Sequence, residues 1–290
     1  MEYVILNTGA KMPLVGFGVF QIPDKDECKR VVLDAIRAGY RLFDTAASYM
    51  NEEALGEAIR EAIETGLVTR EELFITSKMW VQDMKNYEMA KKAIDASLEK
   101  LGLDYVDLIL IHCPQPWILY GNKKRRYFKE NIEVWKALED AYKEGKVKAI
   151  GVSNFAVDDL ENIIQNSEIK PMVNQILCHI GNTPMDIIKF CQENDIVVES
   201  YSPIAHGAAL RDKAINEMAN KYKVSVAQLC IKYTLQLDTV SIPKASSKEH
   251  IEDNTKLDFE ISEEDMIELI KLNEMDYGKD SFWPVFKHKK

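Results

Sequence analysis

Short apolar runs rich in β-branched residues alternate with longer amphipathic stretches about eight times along the chain, and no other feature limits the possible folds as much. The runs are Leu14–Phe20, Tyr40–Phe43, Leu73–Ser77, Val106–Ile111, Val147–Val152, Pro171–Ile176, Ile196–Tyr201 and Thr239–Ile242. They hold too few polar positions for strands with one wet face, so they read as parallel strands covered on both sides. Between them lie stretches such as Asp26–Ala38, Glu52–Glu64, Tyr87–Leu101, Lys129–Glu144, Pro184–Glu193 and Val224–Leu237, apolar at helical spacing. Gly39, Gly66, Gly102 and Gly145 fall near helix ends, where a left-handed residue commonly stops the helix. This alternation predicts an α/β protein of the closed (β/α)8 TIM-barrel type. A doubly wound sheet is the competitor, but Gly16-Phe17-Gly18 runs into Val19-Phe20-Gln21 and supplies no G-x-G-x-x-G turn. Tyr3–Leu6 and Lys11–Pro13, joined around Thr8-Gly9, predict an N-terminal β-hairpin at the barrel end opposite the long loops.

The length of 290 residues fits either two domains or one barrel. With no linker, internal repeat or composition break, the expectation is one domain over residues 1–290, ending in a short C-terminal tail that carries Phe282 and Trp283. The net charge of −10 opposes non-specific binding to nucleic acid or anionic membranes, so an anionic ligand has to be held by a local basic pocket. No apolar run approaches the roughly 18 residues of a membrane helix, and Met1-Glu2-Tyr3-Val4 does not open a signal peptide. The five cysteines, Cys28, Cys113, Cys178, Cys191 and Cys230, form no C-x-x-C pair, which fits reduced thiols and a cytoplasmic location. His112 beside Cys113 does not match zinc spacing, so no metal is expected.

A barrel of this kind presents reactive groups from the carboxyl ends of its strands. Asp44 follows Tyr40–Phe43, Tyr49 lies five residues further, Lys78 follows Phe74-Ile75-Thr76-Ser77, and His112 follows Leu108-Ile109-Leu110-Ile111. Taken singly, each has a plain structural reading: a rim aromatic, a paired cation, a satisfied buried histidine. Together on successive strand ends they suggest one site. A lysine ammonium beside a tyrosine lowers the phenol's proton affinity, by up to roughly three pKa units before desolvation opposes it. A carboxylate keeps that lysine charged. A histidine there can orient a carbonyl oxygen.

On these residues the chain resembles the aldo-keto reductase family over nearly its whole length. The matching motifs are Gly39-Tyr40-Arg41-Leu42-Phe43-Asp44-Thr45-Ala46 with Tyr49 and Asn51-Glu52-Glu53, Phe74-Ile75-Thr76-Ser77-Lys78, Leu110-Ile111-His112, and Gly145-Lys146-Val147-Lys148-Ala149-Ile150-Gly151-Val152-Ser153-Asn154-Phe155. Val173-Asn174-Gln175, Tyr201-Ser202-Pro203 and Ile242-Pro243-Lys244 continue the series. The resemblance implies a monomeric NADPH-dependent reductase of small aldehydes and ketones, with Asp44, Tyr49, Lys78 and His112 in the places of the family's catalytic tetrad. It places Ser153, Asn154 and Gln175 at the nicotinamide carboxamide, Tyr201 against its ring, Ser202 and Ile204 at the pyrophosphate, and the main chain of Gly18 and Val19 near a ribose. Lys244, Ser246, Ser247 and His250 match the adenosine-phosphate clamp, and Asp253 and Asn254 the adenine contacts. Ser153-Asn154 also fits a plain helix cap. His250 stands where the family usually has arginine, which implies NADP(H) preference with NAD(H) tolerated. Phe20, Trp80, Trp117, Phe282 and Trp283, with Tyr49 and His112, are the expected substrate pocket. The short tail resembles the diketogluconate-reductase and prostaglandin-F-synthase-like branch. His206, in the same loop as Ser202, reads either as a phosphate contact or as an exposed residue, and Lys123-Lys124-Arg125-Arg126 reads as a solvated basic loop ahead of the alternative that it attracts an acidic substrate. The competing functions are a cofactor-binding redox sensor of the same fold and an aldolase using Lys78 as a Schiff base.

Overall fold

The computed structural model describes residues 2–80, 86–272 and 275–286. A two-stranded antiparallel hairpin, β1 (Tyr3–Ile5) and β2 (Lys11–Pro13), pairs Tyr3 with Pro13 and turns through Gly9 at φ +87°. Leu6 and Met12 are buried. Asn7 donates its side-chain amide to the carbonyls of Pro171 (3.2 Å) and Asp195 (3.1 Å), just before two barrel strands begin. The hairpin therefore closes the amino-terminal end of the barrel, as expected.

Eight parallel strands follow: β3 (Gly16–Gly18), β4 (Leu42–Asp44), β5 (Phe74–Met79), β6 (Leu108–Ile111), β7 (Ile150–Ser153), β8 (Val173–Leu177), β9 (Val197–Tyr201) and β10 (Val240–Ile242). Each pairs with the next in sequence, and a parallel bridge of Val15 with Ser241 brings the last back to the first. All of the strands except β5 are shorter than the apolar runs that predicted them, because ladder pairing covers only part of each run; Leu14–Phe20 contributes Gly16–Gly18 alone.

The helices are α1 (Lys25–Arg37), α2 (Glu52–Glu64), α3 (Tyr87–Leu101), α4 (Phe128–Lys143), α5 (Val157–Asn166), α6 (Met185–Glu193), α7 (Lys213–Tyr222), α8 (Val226–Leu235), α9 (Lys248–Asp253) and α10 (Glu263–Ile270). Asp24 caps α1 by accepting from the Glu27 N–H at 2.8 Å, which satisfies a donor that the helix start leaves unpaired. The single helix expected over Val224–Leu237 is preceded by α7, which stops at Lys223 (φ +58°). Ser225 and Gln228 then form a reciprocal cap that starts α8. α7 and α10 are additions to the predicted helices. Among the described residues no helix is long and apolar enough to cross a membrane.

Gly56 shows how tightly this outer ring packs. A Cβ there would lie 2.0 Å from the carbonyl oxygen of Leu101, so only glycine lets α2 approach the end of α3. In an open helix Gly→Ala is stabilising by roughly 1 kcal/mol. At this contact the sign reverses: Gly56→Ala should lower stability by about 1–3 kcal/mol through overpacking. Urea unfolding checks this, and an unchanged or raised midpoint would contradict the close approach.

Candidate active site

The site begins with the register of β4 and β5. Asp44 ends β4 opposite Thr76, and Lys78 lies two residues further along β5. The chain then turns through a 3₁₀ segment, Ala47–Tyr49, and leaves it at Met50 with φ +59°. Asn51 fixes this turn. Its side chain donates to the carbonyls of Val19 (2.9 Å) and Ile22 (3.0 Å) and accepts from the Thr45 hydroxyl at 2.7 Å. Tyr49 is thereby held over the end of β5.

The Lys78 side chain is fully buried. Its ammonium donates to Asp44 Oδ1 (2.6 Å), the Thr45 carbonyl (2.8 Å) and Tyr49 Oη (3.3 Å), so all of its hydrogens have acceptors. Desolvation works against this charge, but Asp44 and Tyr49 outweigh it and hold the ammonium above the ordinary lysine value. For Tyr49 the balance is the reverse of the sequence expectation. Burial raises its phenol, Lys78 pulls it down, and Asp44 pushes it up again, leaving the net shift upward. At 3.3 Å and an effective dielectric of 20, the lysine's pull is about 5 kcal/mol. Burial and the nearby carboxylate together exceed it.

His112 follows β6 and stands edge-on to Tyr49, ring centroids 5.7 Å apart. Burial first, then Lys78, pushes it well below the ordinary histidine value, so the imidazole is neutral at neutral pH. Its Nδ1 lies 3.5 Å from the Ser48 hydroxyl. The four candidates from separate strand ends thus form one cluster.

A second polar tier supports the first. Asn154, at φ +62°, donates to the His112 carbonyl and to Ser153 Oγ, both at 3.0 Å, and accepts from the Tyr201 hydroxyl at 2.7 Å. Ser153 Oγ donates to the Gln175 carbonyl at 2.9 Å. Helix α5 is instead capped at Ala156, where Asp159 accepts the backbone N–H, so Ser153 and Asn154 are not its cap. Gln175 donates from one nitrogen to Asp44 Oδ2 (2.8 Å) and Glu199 Oε2 (2.6 Å). Glu199 was absent from the sequence candidates. Its signal was a carboxylate two residues before Tyr201, on the same side of an otherwise apolar strand.

The proposed adenosine side is more open. The N–H groups of Gly18 and Val19 are already committed to the carbonyls of Pro243 (3.0 Å) and Asp44 (3.1 Å). Lys244 is exposed and has no ion-pair partner among the described residues. Partial desolvation lowers its ammonium, against the pull of Glu27 and Asp280. Ser246, Ser247 and His250 are exposed, and Ser247 caps α9 by accepting from the His250 N–H at 3.2 Å. Arg30 of α1 donates to the Ser246 carbonyl at 3.0 Å, bringing a guanidinium to this loop that the sequence did not suggest. Asp253 accepts from Gln228 through its carbonyl (3.1 Å), and Asn254 is buried at the end of α9.

Aromatic contacts join Phe20 to Tyr49 (4.9 Å) and Trp283 (6.0 Å), and His112 to Trp117 (5.3 Å). Phe282 stacks on Trp283 at 4.7 Å and is otherwise exposed. Trp80 is exposed and makes no ring contact among the described residues. Two readings need correction. His206 is not exposed: its Nε2 lies 3.1 Å from Ser202 Oγ and its Nδ1 3.0 Å from Asp280, and its ring packs on Phe286. Arg126 is not solvated, since it bridges Asp158 and Asp159 at the start of α5; Lys123, Lys124 and Arg125 are exposed. Beyond β8, His179 meets the Tyr277 hydroxyl at 2.8 Å and anchors the tail. Among the described residues no cluster could hold a metal, and burial raises all five cysteine thiols.

Such a barrel, with a buried lysine–carboxylate pair under a phenol at its mouth, defines a class of α/β-barrel protein equipped to hold and move a proton there. The sequence profile of the Aldo/keto reductase family matches residues 14–274, and the chain belongs to that family of carbonyl-acting oxidoreductases. It is 44% identical over 274 residues to the glyoxal reductase of Bacillus subtilis, covering 94% of this chain and 93% of that one. It superposes on an aldo/keto reductase from Brucella melitensis with a TM-score of 0.84 at 37% identity, covering 94% of this chain and 99% of that one. For the Bombyx mori aldo-keto reductase AKR2E4, solved in complex with NADP, the TM-score is 0.85 at 34% identity, with 98% of each chain covered.

Burial lowers His206 from the ordinary histidine value while Asp280 opposes that shift. Asp280→Asn removes the opposing charge and keeps the shape, so the His206 midpoint in an NMR titration should fall further. A rise would show that the pair does not form.

Proposed function

We propose that the chain is an NADP(H)-dependent carbonyl reductase, acting as a monomer, in which Tyr49 is the proton donor. One observation carries the reading: the Lys78 ammonium holds Asp44, the Thr45 carbonyl and the Tyr49 hydroxyl together at 2.6, 2.8 and 3.3 Å. A nicotinamide cofactor, when bound, supplies the hydride. The residues present fit such a group. Lys244 carries a charge without an ion-pair partner among the described residues, which suits a phosphate, with Ser246, Ser247 and His250 beside it. Ser153, Asn154, Gln175 and Tyr201 form the polar wall that would receive the carboxamide and ring. Ser202 and Ile204 lie in the loop that would meet the pyrophosphate, Gly18 and Val19 near the ribose, and Asp253 and Asn254 near the adenine.

The protein's part is positional and electrostatic. His112, neutral, presents an N–H that can hold a carbonyl oxygen. Tyr49 Oη then gives its proton to the oxygen that becomes an alcohol, and the ammonium of Lys78 stabilises the phenolate left behind. Asp44 keeps that ammonium charged. Phe20, Trp117 and Trp283, with Trp80 and Phe282 at the rim, would exclude water around a small aldehyde, ketone or dicarbonyl. The glyoxal reductase relative is consistent with that substrate class. A Schiff-base aldolase is disfavoured, because it needs a neutral amine and Lys78 is held as an ammonium.

Tyr49→Phe should retain NADPH binding, read by fluorescence, while turnover falls by about 10²–10⁴. Near-normal turnover would remove the proton-donor role. Because the phenol is raised and His112 is lowered, neither group should change protonation between about neutral pH and the ordinary tyrosine value of about 10, so carbonyl reduction should not lose its proton donor in that range. Alcohol oxidation, which needs the phenolate, should climb throughout. His250→Arg should tighten NADP(H) more than NAD(H) in parallel titrations, and an equal effect on both would contradict the phosphate assignment.

A further inference from the structure

The carboxyl of Glu199 is wholly buried inside the barrel, and the reaction described above does not use it. It stands directly across from Gln175 on β8 and Val240 on β10, neither of which carries a charge. Its Oε2 accepts one hydrogen of the Gln175 amide at 2.6 Å, and the other goes to Asp44 Oδ2 at 2.8 Å. Asp44 Oδ1 grips Lys78, which in turn reaches Tyr49. An unbroken chain of contacts therefore runs from Glu199 through Gln175, Asp44 and Lys78 to the phenol. Among the described residues Glu199 Oε1 has no hydrogen-bond partner.

We propose that Glu199 is a positioning residue for the Tyr49 proton donor: it fixes Asp44 through the Gln175 amide and sets the charge that Tyr49 feels. The proposal rests on the reading of Tyr49 as proton donor. The groups that bear on Glu199 are Asp44 from β4 and Lys78 from β5, and Glu199 in turn acts on Tyr49 in the 3₁₀ turn. One cation cannot neutralise two carboxylates in a dry interior, so one carboxyl must keep its proton. Asp44, in direct contact with Lys78, is the ionised one. Glu199 is the neutral one: burial and then Asp44 raise it to about 8. Below that pH the Lys78–Asp44 pair is balanced. Above it a second negative charge enters the barrel and makes Tyr49 still harder to ionise.

The test uses the free protein and its Glu199→Gln and Glu199→Ala variants, each paired with its Tyr49→Phe counterpart. Subtracting the pairs isolates one phenol among twelve tyrosines in ultraviolet titration. Tyr49 should ionise about one pH unit lower in Glu199→Gln, a tenfold change in its acid constant. Difference infrared titration should show a carboxylic-acid band lost with a midpoint near pH 8 and absent from Glu199→Gln. In turnover, Glu199→Ala leaves one hydrogen of the Gln175 amide without its acceptor, so kcat should fall about tenfold with the carbonyl KM little changed. Glu199→Gln restores an acceptor oxygen and should recover kcat. An unmoved Tyr49 ionisation, no such acid band, or an alanine variant with undiminished kcat would each overturn the proposal. If the alanine variant fails to fold, the glutamine titrations decide alone. If Tyr49→Phe stays active, the proton-donor reading falls, while the free-protein titrations still report whether Glu199 acts on that phenol.

Discussion

A lysine ammonium sealed inside an apolar barrel is the constraint on which the site depends. Without partners it would lose its proton or draw water inward. Lys78 does neither, because three acceptors converge on it from one short stretch, Asp44 to Tyr49. That convergence dictates local structure well beyond the site. The pairing of β4 with β5 must put Asp44 beside the Lys78 side chain, the turn after β4 must aim the Thr45 carbonyl inward, and Asn51 must hold that turn closed by bonding back to Val19 and Ile22. Deleting either charge of such a pair is costly out of proportion to its net worth, because the survivor stays buried.

The same burial decides which way the site leans. A lysine beside a phenol suggests an activated base, and a Coulomb estimate alone supports that. In the folded protein the phenol is also desolvated and faces Asp44, and these effects win. Tyr49 is accordingly a phenol that holds its proton more tightly than an exposed tyrosine does. His112 leans the same way: lowered by burial and Lys78, it offers a neutral N–H and adds no competing acid. On the proposed reading, this lean favours giving a proton to a carbonyl oxygen over taking one from an alcohol.

The barrel was legible because its code is periodic: parallel strands buried on both faces and helices with one apolar stripe leave marks in any window of the chain. The Asp44, Tyr49, Lys78 and His112 cluster was legible because strand ends converge on one mouth whatever the loops do. Glu199 was harder to see, since a glutamate within Ile196–Tyr201 looks like a solvent-facing residue until the strand's inward side is known. Arg30 and Asp280 left no mark at all. Each reaches its partner across 216 or 74 residues, Arg30 to Ser246 and Asp280 to His206, and such contacts exist only once the helices and tail have docked. The sign of the Tyr49 shift was out of reach for a related reason: sequence names the charges but not the depth at which they are buried.

Depth also explains why the tail belongs to the mouth. Ser202, Ala205 and His206 all hold positive φ, a conformation costing about 1 kcal/mol or more for each side-chain-bearing residue. Three such residues within five positions would relax unless something held them. Asp280 binds His206, Gln21 reaches the same carboxylate at 3.4 Å, and Phe286 is buried against the histidine ring. Tyr277 makes the second attachment through His179, beyond the end of β8. The strained turn after β9 and the carboxyl-terminal tail therefore stabilise each other. A change that frees the tail should also disturb the turn beside Tyr201, so these two remote stretches of sequence shape one wall of the same cleft.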